Sequence, residues 1–233
     1  MNRSSRAALL ATTLLGCVSL PSLAQAQGVD DPFEPVNRGI FAFNEVLDNL
    51  IVKPIATVYN AVLPKPVRTG VSNVFGNLDD VFIGANHALQ GRGKDAANSF
   101  GRVVINTTFG VGGLVDLASM NGMPKGEGDY GQTLGVWGVG PGPYIVLPVL
   151  GPSNARDTVG RAARVASDPR TYMPDAWSYS LRGVEAVQIR ADNLENTRLI
   201  DSSSLDKYGF TRSLYMQRRD ALVKSGKAAA SGP

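Results

Sequence analysis

Along most of the chain apolar residues recur at three- and four-residue intervals, and glycine and proline interrupt the pattern. Between Asn37 and Ile51 they fall at 40, 43, 47, 50 and 51, while Arg38, Asn44, Glu45 and Asp48 lie off that stripe. This spacing predicts an amphipathic helix. Pro54 should end or kink it, and a second helix should run to about Val62, before Pro64 and Pro66. Val67–Gln90, Asp95–Phe109 and Gly112–Ala118 read as further short helices. Two longer ones are expected over Trp177–Ile200 and Ser204–Lys224. No alternation of the kind a strand requires is sustained over several segments, no repeat recurs, and no linker divides the chain. The expected architecture is all-α, a single domain over 27–225 followed by a disordered tail at 226–233.

One stretch breaks the helical pattern. From Tyr130 to Ala155 there is no charge over 26 residues, a length that could span a bilayer. A plain helix is ruled out by six glycines and four prolines, with Gly140-Pro141-Gly142-Pro143 at the centre. Irregular backbone survives in hydrocarbon only where protein buries it or where it lines a polar cavity. Two readings follow and stay open at this point. The segment could line an amphipathic passage, which makes Gly138, Val139, Gly140, Gly142, Pro143 and Tyr144 the candidates. It could equally be a buried hairpin over Pro143–Leu150 with tight turns at its ends.

The N-terminus adds a destination. Arg3 and Arg6 precede an uncharged apolar run from Ala7 to Leu20, the layout of an export signal. Ala24-Gln25-Ala26 is a small-x-small cleavage site that would leave Gln27 first. Leu14-Leu15-Gly16-Cys17 resembles a lipobox, in which cleavage falls after residue 16 and Cys17 carries the lipid anchor. Both exits send the chain out of the cytoplasm. With Cys17 the only cysteine, no internal disulfide is possible.

Composition narrows the chemistry. Hydrophobic residues make up 43% of the 233, enough to exclude a disordered chain. Without Arg3 and Arg6 the chain carries 21 basic and 20 acidic residues, and no dense basic patch invites nucleic acid. The balance is uneven: residues 27–155 hold 8 basic and 11 acidic residues, whereas 156–233 hold 13 and 9. His87 is the only histidine and reads as structural on a helix. There is no Cys–His cluster for a transition metal. Gly126-Glu127-Gly128-Asp129-Tyr130-Gly131 matches a dinucleotide fingerprint but follows a Met-Pro-Lys turn, and its carboxylates would repel a pyrophosphate. Asp79-Asp80 reads as a solvated helix face. No catalytic residue, metal or cofactor is expected.

A series of short motifs gives a specific resemblance. Asp31-Pro32-Phe33-Glu34-Pro35-Val36-Asn37-Arg38, Val52-Lys53-Pro54 and Gly70-Val71-Ser72-Asn73 come first. Gly110-Val111-Gly112-Gly113, Gly131-Gln132-Thr133-Leu134-Gly135, Gly138 through Tyr144, Arg156-Asp157 and Gln217-Arg218-Arg219 follow in order. Together, over about residues 31 to 220, they resemble the MlaA (VacJ) family of outer-membrane lipoproteins. The resemblance implies a ring of amphipathic helices embedded in the periplasmic leaflet of the outer membrane, with a central channel. It implies phospholipid as cargo, a trimeric porin as neighbour, and a periplasmic carrier of MlaC type as recipient. The expected function is removal of mislocalised phospholipid from the outer leaflet, which maintains lipid asymmetry.

Overall fold

The computed structural model describes residues 31–203 and 205–232. The export signal, Cys17 and the Ala24–Ala26 site lie outside the described residues. Helix α1 spans Glu34–Leu47, with Pro35 in its first turn, where the missing N–H costs nothing. A π-helical turn, Asp48–Val52, carries the chain into α2, Lys53–Val62. Pro54 therefore does not end the helix. It occupies the first turn of α2 directly after the wider turn, and π turns commonly mark such accommodations. Leu63 is extended, as a residue before proline must be, and closes α2.

Helix α3 (Lys65–Leu89) and α4 (Gly93–Thr108) form an antiparallel pair joined through Gly91, whose φ of 75° only glycine adopts freely. The helix expected over Gly112–Ala118 is instead a turn followed by the short α5, Leu117–Met120. Val111, Gly112 and Gly113 all have positive φ, so the chain there is left-handed and no helix can form.

The uncharged stretch divides into three parts. Asp129 caps α6 (Tyr130–Val136) by accepting from the Gln132 N–H at 2.8 Å. An irregular loop follows. The antiparallel hairpin β1 (Tyr144–Leu147) and β2 (Gly151–Asn154) then pairs Tyr144 with Asn154 and Leu147 with Gly151. Asn154 caps the unanticipated α7, Ala155–Ser167, through the Asp157 N–H at 2.8 Å. A 3-10 turn at Pro169–Tyr172 leads to α8, Asp175–Asp192. Asn193 separates it from α9, Leu194–Ser203, so the single helix expected over 177–200 is two. Helix α10 runs from Lys207 to Ser231.

The tail expected at 226–233 thus continues a helix through 231. Gly226 is buried against Val136, Gln132 and Gln90, and Ala228-Ala229-Ala230 favours helix. Packing places α6 between α7 and α10, α2 on α8, and the hairpin on α1. The main apolar cluster sits where hairpin, α1 and α10 meet: Tyr144, Val146 and Tyr208, with Ile40, Phe41 and Tyr215 around them. No helix among the described residues is long and apolar enough to cross a membrane.

Candidate functional site: a charged interior beneath an apolar surface

Helices built from these stripes bury the unexpected side. Among the described residues, eight apolar side chains are buried against nineteen polar or charged ones. Buried polar groups cost energy unless paired, so such an interior must be a network. Arg102 shows how it is made. Its Nε donates to Asp80 at 2.9 Å, Nη1 to Ser119 Oγ at 2.9 Å and the Met123 carbonyl at 2.6 Å, and Nη2 to Asp116 at 3.0 Å. Asp80 is fully buried, not solvated as its adjacency to Asp79 suggested. Its burial raises the carboxyl above the usual range despite Lys125 and Arg102 nearby. Asp79 pairs with Arg164 at 2.8 Å.

The other motifs find plain structural uses. His87 is buried, with Nε2 3.1 Å from the Glu127 carbonyl and Nδ1 3.3 Å from Ser99 Oγ. Gly126 and Gly128 lie against its ring, where a Cβ at Gly126 would come within 2.7 Å of Cε1. A Cβ at Gly131 would lie 2.5 Å from Asp157 Oδ1. The glycines of the fingerprint serve close packing.

The outer faces are apolar. On α1, the π turn and α2, Phe43, Val46, Leu50, Val58 and Val62 are exposed, Leu50 by 73%. Val104, Phe109 and Val111 continue the pattern at the end of α4. Contiguous exposed apolar surface marks an interaction with protein or lipid.

Two of the cavities among the described residues bear on the charged interior. One, of about 480 Å³, is lined by Gly138, Val139, Gly140 and Pro141 on one side and by Met216 and Val223 of α10 on the other; Arg156 and Lys227 also reach it. Three of the six passage candidates thus share a cavity. The other three do not. Gly142, with φ of 66°, packs against Ala155. Pro143 leads into the hairpin, and Tyr144 is fully buried, 6.1 Å ring to ring from both Tyr208 and Tyr215. Burial, and after it the Asp31 charge, pushes the Tyr144 phenol up to about 12. Asn37 fixes this hairpin, donating to the Tyr144 carbonyl at 3.1 Å and accepting from the Val146 N–H at 2.8 Å. Asn44 does the same for the turn, through the Leu147 carbonyl at 3.0 Å and the Val149 N–H at 2.7 Å. A hairpin does fill the second half of the uncharged stretch, but it extends to Asn154 rather than ending at Leu150, and its tip, Val149 and Leu150, is exposed rather than buried.

The second cavity, of about 340 Å³, was not foreseen from the sequence. Arg161, Arg164 and Arg219 face Asp79, Asp129 and Asp157 there, with Phe82 and Ile83 as apolar wall. Arg219 Nη2 donates to Asp129 at 2.9 Å and to Asp157 at 3.0 Å. Burial raises the Asp129 carboxyl, but the bonded Arg219 outweighs it and holds the group below the ordinary range. The signal available was the basic excess after residue 156.

Helices with exposed apolar faces around a charged, cavity-bearing interior define a class: helical proteins that offer an apolar outer surface to a partner or to lipid. Within that class, the MlaA lipoprotein model matches residues 29–222, and the chain belongs to that family. A Shigella flexneri protein described as the intermembrane phospholipid transport system lipoprotein MlaA is 36% identical over 230 residues, covering 97% of this chain and 90% of its own length. The Escherichia coli K12 protein of the same description matches equally, and that of Haemophilus influenzae is 33% identical over 97% of this chain and 92% of its own. A solved structure described as the structural basis for maintenance of bacterial outer membrane lipid asymmetry superposes with a TM-score of 0.74. It is 35% identical and covers 83% of this chain and 99% of its own.

Proposed function

We propose that this chain is the outer-membrane component of a phospholipid transport system, removing mislocalised phospholipid from the outer leaflet and so maintaining lipid asymmetry. The observation that carries the reading is the sorting of polarity, apolar outside and charged inside. In water, exposed Leu50, Val62 and Phe109 would be a liability; in acyl chains each is at home. The helices lie in the periplasmic leaflet as a ring, and headgroups pass through its polar interior. A headgroup in hydrocarbon leaves polar groups unpaired at a cost of several kcal/mol each, so a polar lining lowers the barrier. Flow then follows the lipid's own preference, with no cofactor and no reaction. The burial of His87 against Ser99 and the Glu127 carbonyl supports a packing role for it.

The recipient is a periplasmic carrier of MlaC type, and the neighbour in the membrane is a trimeric porin. Attachment is through Cys17 in Leu14-Leu15-Gly16-Cys17; a mature mass beginning at Gln27 would replace that anchor with embedding alone. The function is tested in cells lacking the gene, by the amount of phospholipid accessible in the outer leaflet. Complementation by this chain should restore asymmetry, and failure to do so with the protein present in the outer membrane would overturn the reading. Extraction by salt alone, without detergent, would overturn the embedding.

A further inference from the structure

The conduit reading leaves open which part of the lipid the interior recognises, and the charges around the 340 Å³ cavity answer that. Arg164 is taken by Asp79 at 2.8 Å and by Asp168 at 3.4 Å. Arg219 is taken by Asp129 and Asp157. Arg161 is different. Among the described residues no carboxylate is within ion-pair distance of it. Its guanidinium is held by two carbonyls of the hairpin, Leu150 at 2.9 Å through Nη1 and Pro152 at 2.8 Å through Nη2. These bonds fix its direction and leave it without an ion-pair partner among the described residues. Neighbouring Arg164, one turn away on α7, has a buried Nη1 whose contact is the 3.4 Å ion pair with Asp168, with no hydrogen bond besides. Its guanidinium also stacks over the Phe82 ring at 3.3 Å, which holds it in place.

We propose that Arg161, with Arg164 beside it, forms a binding site for the phosphodiester of a glycerophospholipid headgroup, and that the site reads this phosphate rather than the headgroup beyond it. An oriented guanidinium with spare donors suits a phosphate oxygen. The three carboxylates that could receive an ammonium, Asp79, Asp129 and Asp157, are already paired with arginines. Zwitterionic and anionic phospholipids are therefore accepted alike. Phe82 and Ile83 supply the apolar wall for the first carbons of the glycerol ester region.

The proposal rests on the conduit reading, and the experiment separates the two. The full chain in detergent is titrated with dihexanoyl-phosphatidylethanolamine, dihexanoyl-phosphatidylglycerol, phosphate-free dihexanoylglycerol and inorganic phosphate. Wild-type protein should bind both phospholipids with similar affinity and the phosphate-free lipid far less. Arg161→Gln should weaken both phospholipids by at least about tenfold, because a charged hydrogen bond is lost, while Arg161→Lys keeps most of the affinity. Gln and Lys variants weakened equally would make Arg161 a hairpin anchor only and overturn the site. So would wild-type affinity in Arg161→Gln, equal affinity for dihexanoylglycerol, or no binding by the wild type. Inorganic phosphate bound as tightly as the lipids would assign a free-anion site and overturn the headgroup assignment. Restored lipid asymmetry in cells, alongside any of these results, overturns the site and leaves the conduit standing.

Discussion

Gly140 and Gly142 stand two residues apart in the same loop, and the structure assigns them opposite sensitivities. Gly142 has φ of 66°, and a Cβ there would lie 2.9 Å from the Ala155 Cβ. Gly140 has no atom within 4 Å of a built Cβ, does not have positive φ, and lines the 480 Å³ cavity. Alanine at 142 must hold a left-handed conformation, which costs an L-residue roughly 1–2 kcal/mol before the Ala155 contact is counted. For a chain of this size that lowers the melting temperature by roughly 2–8 °C. Leucine at 140 should change stability by less than about 0.5 kcal/mol, as exposed substitutions do, yet it projects bulk over the cavity. The measurements are thermal unfolding in detergent and outer-leaflet phospholipid in cells carrying each variant. Gly140→Leu should remain folded and raise outer-leaflet phospholipid; Gly142→Ala should lose stability first. Gly142 is thus the poorer probe of a passage, since strain and obstruction coincide there. Normal asymmetry with a folded Gly140→Leu protein would remove this cavity from the lipid route. A Gly142→Ala protein as stable as wild type would refute the backbone argument.

Three further outcomes follow from the packed interior. Arg102→Met leaves buried Asp80 with only Lys125, 4.0 Å away, and should cost about 3–5 kcal/mol in denaturant unfolding; a loss under about 1 kcal/mol would mean the network is not what holds α3 to α4. Gly160→Ala sets a methyl group against the backbone of Gly131, where α6 and α7 touch, and should reduce folded yield sharply, whereas Gly183→Ala, with open space around it, should be neutral. The Asp129 and Asp168 carboxyls are raised by burial but held below the ordinary range by Arg219 and Arg170, which outweigh it. A depressed folded value means that the stabilisation is complete above the unfolded value near 3.9 and is lost as pH falls through the folded one. Unfolding should therefore become easier below about pH 4, and Arg219→Gln should flatten that acid dependence; an unchanged profile would refute the assignment.

Spacing along the chain was enough to find α1, α3, α4 and α10, because a helix is a local object and its apolar period is written in consecutive residues. Glycine and proline marked most of the breaks for the same reason. The ordered motifs from Asp31 to Arg219 were enough for the family. What spacing could not say is which way a stripe faces, since an apolar face looks the same whether it meets a core or a lipid. The answer came from contacts between distant residues. Arg102 reaches Asp80 across 22 positions, and Asn37 reaches Val146 across 109. Those contacts turn the polar faces inward and leave Leu50 and Val62 outside. They also divided the uncharged stretch, sending Tyr144 into a hairpin core while Gly138 and Gly140 stayed at a cavity wall. Arg161 was one basic residue among thirteen after position 155. Only the fold placed carboxylates in ion-pair contact with Arg164 and Arg219 and, among the described residues, none with Arg161, because charge pairing is a property of three-dimensional neighbours rather than of sequence neighbours.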